Sequence, residues 1–145
     1  MKKMSRSLIL HKEIFMNSYI GLKSVKAEPQ VKDGKDGYKV VYEDGYESWS
    51  PKDVFEKAYH ENGEMSFSEA LYALKRGAKI ARSGWNGKGM FLFLAHGEDL
   101  TNCICTGDMP PCVDSIAMKT AQNTIVIGWL ASQADMLSDD WCVVE

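Results

Sequence analysis

Residues 66–77, SFSEALYALKRG, constrain this chain more than any other stretch. Ser66 followed three residues later by Glu69 is a capping box, in which each side chain satisfies a backbone N–H at the start of a helix. Phe67, Ala70, Leu71 and Leu74 then share one helical face, and Gly77 stands where the stop needs a residue without a Cβ. Behind this helix the chain is cut into short β-prone runs: KIAR (79–82), MFLFLA (90–95), SIAMKT (115–120), NTIVIGWLA (123–131) and WCVVE (141–145). A turn at 121–123 makes SIAMKT and NTIVIGWLA an antiparallel pair. The unbroken apolarity of MFLFLA predicts burial on both faces or at a subunit contact. An apolar helix stripe beside runs with no β–α–β alternation defines an α+β fold, a small antiparallel sheet with a packed helix.

Upstream of the helix the pattern differs. YIGLKSVKAEP (19–29) is predicted as a strand stopped by Pro29, and Asp44-Gly45 between GYKVVYE and YESW is a hairpin signal. Ser50, Pro51 and Asp53 predict an N-cap, a proline at the first helical position and an acidic first turn for a helix over 51–61. Val54, Phe55 and Ala58 would cover the hairpin, and His60 would meet the end of its own helix. NGEM (62–65) is the linker. The expected organisation is therefore a β-hairpin and helix leader module at 16–61 and an α+β domain at 62–145. Residues 1–15 are expected to be a non-native or mis-annotated extension: Lys12 and Glu13 can be encoded by AAGGAG, a ribosome-binding sequence placed to start translation at Met16.

Composition narrows the function classes. With 145 residues, 45% of them hydrophobic, the chain can bury one core or two small ones. Net charge is -3, and residues 64–145 alone carry ten acidic and six basic side chains. Such a field excludes a large duplex nucleic-acid footprint, and any anion site here must rest on local donors. No apolar run approaches the roughly 20 residues of a membrane helix, so no membrane partner is expected and the cytoplasm is the expected location. Cys103, Cys105 and Cys112 in NCICTGDMPPC raise the question of zinc, but the spacing lacks paired knuckles, and reduced thiols in a polar, irregular excursion over 96–112 are the expectation. No metal and no cofactor are called for.

No catalytic constellation stands out. His11, His60 and His96 lie in no recognisable triad setting, GWNGKG lacks the spacing of a phosphate loop, and Asp139 with Asp140 reads as a solvated turn pair. Binding chemistry is better represented. In RSGWNGKG the glycines permit close approach, Asn86 offers donor and acceptor, Trp85 offers a face on which a nucleobase can stack, and Arg82 and Lys88 carry charge for phosphate. The competing reading is a core tryptophan with glycines serving its turn. Downstream, Trp129 alternates with Ile125 and Ile127 in a core pattern, followed at once by Ser132, Gln133 and Asp135. These three suit ribose hydroxyls or a base edge, or a loop capping its own backbone.

FSEALYALKRGAKIARSGWNGKGMFLFL and AMKTAQNTIVIGWLASQADMLSDDW together resemble a phage and prophage family of Thoeris anti-defence sponges, across residues 65–145. The resemblance implies a protein without enzymatic activity that sequesters a cyclic ADP-ribose signal, glyco-cyclic ADP-ribose, as its small-molecule partner, with some members also taking cyclic oligonucleotides of CBASS immunity. It implies a homo-oligomer, a tetramer or dimer, with pockets at subunit contacts. By motif, the ligand site falls on Trp85, Asn86, Ser132, Gln133 and Asp135, with Arg82 and Lys88 beside it. Gln122-Asn123 replaces the D-G turn usual in that family, and the cysteine-bearing excursion departs from its pattern. Residues 16–60 resemble a leader module recurring in phage proteins, and a non-catalytic protein-interaction module is the alternative function.

Overall fold

The structure, a computed structural model, describes residues 16–145, so the reading of residues 1–15 lies outside it. Two antiparallel sheets organise the chain. The first has the order β1 (Lys26–Pro29), β2 (Gly37–Val41), β3 (Glu47–Pro51). Its β2–β3 turn is closed as Asp44-Gly45 predicts: Gly45 is left-handed at φ 87°, and the Asp44 carboxylate accepts from the Tyr46 N–H at 3.0 Å. A second turn, Asp33-Gly34, with φ of 51° and 74°, closes the β1–β2 connection and was not read from the sequence. The strand expected over 19–29 shrinks to β1. Residues 16–25 have no regular structure, because β2 offers partners only from Lys26 onward.

Helix α1 (Lys52–Ala58) starts one residue later than the capping reading predicts. Ser50 is drawn into β3 opposite Tyr38, so Pro51 takes the cap position and no side chain caps the helix. Asp53 does occupy the first turn. Of the three residues expected to cover the hairpin, only Phe55 does so, stacking on Tyr38 at 4.4 Å and Tyr59 at 4.9 Å; Val54 is 57% exposed and Ala58 is exposed too. His60 turns to the next helix instead of its own, with Nδ1 2.7 Å from Oε1 of Glu69. Asn62 and Met65 of the expected linker are tied to the final strand: the Asn62 amide donates to the Val143 carbonyl at 3.0 Å, and the Met65 N–H donates to the Trp141 carbonyl at 3.2 Å.

The second sheet has the order β7 (Ile125–Ile127), β6 (Ser115–Lys119), β5 (Phe91–Ala95), β4 (Lys79–Arg82), β8 (Trp141–Val144). Helix α2 (Phe67–Lys75) lies on one face, its capping box formed and Gly77 at φ 96° ending it. Register decides what it meets. Ile80 sits between Leu92 and Val143, and Leu92 opposite Met118, so one face of four strands is apolar. Ala70, Leu74, Ile80, Leu92 and Trp141 are fully buried together, each large side chain contributing about 1.5–3 kcal/mol by leaving water. The other face carries Phe91, Phe93, Ile125 and Ile127, which the same register aligns across β5, β6 and β7.

Three expectations change in this sheet. Within one chain MFLFLA is fully buried only at Leu92 on the core face, its strand neighbours being half-buried, which leaves the subunit-contact alternative of that expectation. The 96–112 excursion is not wholly irregular but holds helix α3 (Gly97–Ile104), whose first N–H donates to the Asp114 carboxylate at 2.8 Å. Edge strand β7 ends at Gly128 (φ 92°), leaving Ile125 and Ile127 53% and 45% exposed, so they are not core with Trp129. Trp129 lies beyond the strand, its N–H donating to the Ile116 carbonyl at 2.8 Å and its ring turned to the core.

Candidate functional site

Two segments 50 residues apart meet at one end of the second sheet. One is the glycine-rich turn after β4; the other is the start of helix α4 (Gln133–Leu137). Ser132 and Asp135 form a second capping box: the Asp135 N–H donates to Ser132 Oγ at 3.1 Å, and the Ser132 N–H to Asp135 Oδ2 at 3.0 Å. The other carboxylate oxygen of Asp135 faces the turn. It accepts from the Trp85 indole at 3.1 Å and from Arg82 Nη1 at 2.9 Å. Asp135 is only 8% exposed. Burial alone would raise its pKa, but Arg82, the Ser132 N–H and the Trp85 indole together hold it at about 2.

Asp140 clamps the turn from the other side. Arg82 Nε donates to Oδ1 at 2.9 Å, the Gly84 N–H donates to Oδ2 at 2.8 Å, and the Ser83 N–H donates to the Asp140 carbonyl at 3.1 Å. A Cβ at Gly84 would lie 2.6 Å from Oδ2, so a larger residue would displace the Asp140 carboxylate. Gly89 adopts φ 68°, a left-handed conformation that allows its carbonyl to accept from Lys119 Nζ at 3.0 Å. Arg82 thus spends its fork on two carboxylates: hydrogen bonds first to Asp140 and then to Asp135 raise its pKa, and Arg82 in turn lowers that of Asp140.

The indole of Trp85 is half-buried. Its edge faces meet Trp141 at 5.5 Å and Trp129 at 6.3 Å, both near-perpendicular, and Trp141 in turn donates its Nε1 to the Asp135 carbonyl at 2.9 Å. The core and binding readings of Trp85 therefore do not exclude each other, because one part of the ring packs on aromatics and the rest reaches solvent. Of the remaining residues singled out, Asn86 and Lys88 are exposed on the turn that carries Trp85, and Ser132 and Gln133 are exposed at the start of α4, while Arg82 and Asp135 tie the two segments together. Ser132 serves as the cap, so the loop-capping alternative is realised there.

Asp140 is the residue sequence reading missed. It does not form a solvated turn pair with Asp139; Asp139 is exposed while Asp140 is half-buried and ion-paired. The available signal was its position immediately before WCVVE, because pairing that run with KIAR puts Asp140 beside Ser83. A separate cavity of about 710 Å3 opens between the first sheet and the outer side of α2, lined among others by Tyr38, Tyr59, His60, Tyr72 and Arg76. Arg76 spans the two parts by pairing with Glu43 at 2.8 Å. Among the described residues no three His, Cys, Asp or Glu side chains converge as a metal site, and no helix is long and apolar enough to cross a membrane.

Helices packed beside two antiparallel sheets make this an α+β protein, in which a braced tryptophan loop meets a capped acidic turn. Residues 65–144 match the Thoeris anti-defense 2-like domain, and the chain belongs to that family. It is 44% identical over 86 residues to a protein of Bacillus phage SP01 named Thoeris anti-defense 2, a match spanning 56% of this chain and 96% of that protein. Both Trp85 and the Ser132–Asp135 turn fall within the matched region; residues 16–64 lie outside the family match.

Proposed function

We propose that this chain is a phage anti-defence protein that captures a cyclic ADP-ribose-type signalling nucleotide, glyco-cyclic ADP-ribose foremost, and releases it unaltered. One observation carries the reading: Asp135 joins the half-buried Trp85 and its loop, which bears exposed Asn86 and Lys88, to the turn that bears exposed Ser132 and Gln133. Stacking of an adenine on such an indole contributes about 1–3 kcal/mol, as in single-strand recognition. Lys88 and the turn's backbone supply donors for the pyrophosphate, while Gln133 and Asn86 suit ribose hydroxyls. Arg82 serves the frame in this reading. Capture without turnover needs no acid, base or nucleophile at the site, and cyclic oligonucleotides of CBASS immunity are a further ligand class of the same kind.

Assembly as a homo-oligomer, a tetramer or dimer, belongs to this proposal. Leu130 and Leu137, flanking the Ser132–Asp135 turn in sequence, are 89% and 78% exposed, and the β7 edge adds Ile125 and Ile127. Apolar surface of this kind is concealed by a second copy. Incubating the purified full chain with glyco-cyclic ADP-ribose, removing unbound ligand and heating the protein tests the reading. Recovery of intact ligand supports capture; altered ligand makes the protein an enzyme, and no depletion leaves a protein-interaction module.

A further inference from the structure

The 96–112 excursion holds a pair of thiols that the proposed nucleotide site does not use. Cys105 Sγ and Cys112 Sγ lie 3.7 Å apart, in van der Waals contact. Their backbones are fixed by one residue: the Cys105 N–H donates to the Thr101 carbonyl at 3.0 Å, and the Cys112 N–H donates to Thr101 Oγ1 at 2.8 Å. Thr101 is itself anchored, its hydroxyl donating to the Gly97 carbonyl at 2.7 Å. Gly97 explains the tightness, since a Cβ there would collide with the Cys112 carbonyl. Pro110 and Pro111 precede Cys112 and restrict the loop further. Bringing sulfurs 3.7 Å apart to a bond length of about 2.05 Å needs them to close by about 1.6 Å. The other two cysteines are not in this frame: Cys103 is exposed on α3, and Cys142 Sγ contacts the Ala81 carbonyl on β8.

We propose that Cys105 and Cys112 are a thiol–disulfide exchange site that closes an internal disulfide on reaction with a low-molecular-weight disulfide such as oxidised glutathione. One cysteine thiolate attacks a sulfur of the reagent, forming a mixed disulfide and expelling one glutathione thiolate. The second cysteine then attacks the protein sulfur of that mixed disulfide and expels the second glutathione. Two protein thiols are oxidised, one glutathione disulfide is reduced to two thiols, and the two protein protons pass to the leaving thiolates. Contact with Cys112, followed by burial, raises the Cys105 pKa, which lowers the thiolate fraction available at that sulfur. The product ties the end of α3 to the segment entering β6.

Thiol titration and intact-mass measurement on the full chain equilibrated with oxidised glutathione test this. The expected result is a fall from four free thiols to two, a loss of two hydrogens in mass, and a peptide map joining Cys105 to Cys112. Cys103→Ser keeps that cross-link, and Cys105→Ser removes it. Four persistent thiols, a stable glutathione adduct, or a cross-link through Cys103 or Cys142 would overturn the assignment. Ligand recovery plays no part in this readout, so it stands or falls separately from nucleotide capture.

Discussion

At the scale of single residues, Asp135 is the hinge of the account. One carboxylate caps a helix, orients an indole and neutralises a guanidinium, and its pKa of about 2 lies below the ordinary 3.8. A depressed carboxyl contributes stability above its unfolded pKa and loses it as pH falls through the folded one. Asp135 therefore adds about 2 kcal/mol at neutral pH that disappears between about pH 4 and about pH 2. Urea unfolding should show Asp135→Asn less stable than the parent near neutrality, with the gap closing in acid; a gap independent of pH contradicts the assignment. Trp85→Ala should abolish nucleotide capture while leaving sedimentation unchanged, at a cost of about 2 kcal/mol in stability. Sequence alone left Trp85 divided between core and platform, because which part of the ring meets Trp129 and Trp141 is set by strands far away in the chain.

At the scale of elements, local signals were legible and tertiary ones were not. The α2 capping box, the Gly77 stop and the Asp44-Gly45 turn each rest on residues within four positions of one another, and all three formed. Ser50 carried the same kind of signal but lost to strand pairing with Tyr38, whereas Ser132, read as a ligand group or a cap, does cap α4. The two serines should behave differently. Ser132→Ala is expected to cost about 1 kcal/mol as a lost cap, and Ser50→Ala close to nothing by that route, checked by thermal melts of each variant. The shortening of β7 and the helix inside the 96–112 excursion were illegible, since an exposed edge strand and a buried one share the same apolar spelling.

Across the whole molecule, the chain joins a family domain to a separate three-stranded sheet, with Arg76–Glu43 and His60–Glu69 spanning them. The α+β class was readable from the order of elements, while the clamp by Asp140 required the β4–β8 pairing, which joins residues about 60 positions apart. Unpartnered apolar surface leads to an assembly prediction: Ile127→Glu should shift sedimentation toward the monomer, and unchanged sedimentation would remove the β7 edge from the interface. The central claim is that the Trp85 platform grips a cyclic nucleotide without altering it. Calorimetric titration of the full chain with glyco-cyclic ADP-ribose, followed by heat release and chromatography of the ligand, tests this directly. Saturable binding that Trp85→Ala removes, with the ligand recovered intact, is the expected result; no binding heat, or a chemically changed product, would contradict it.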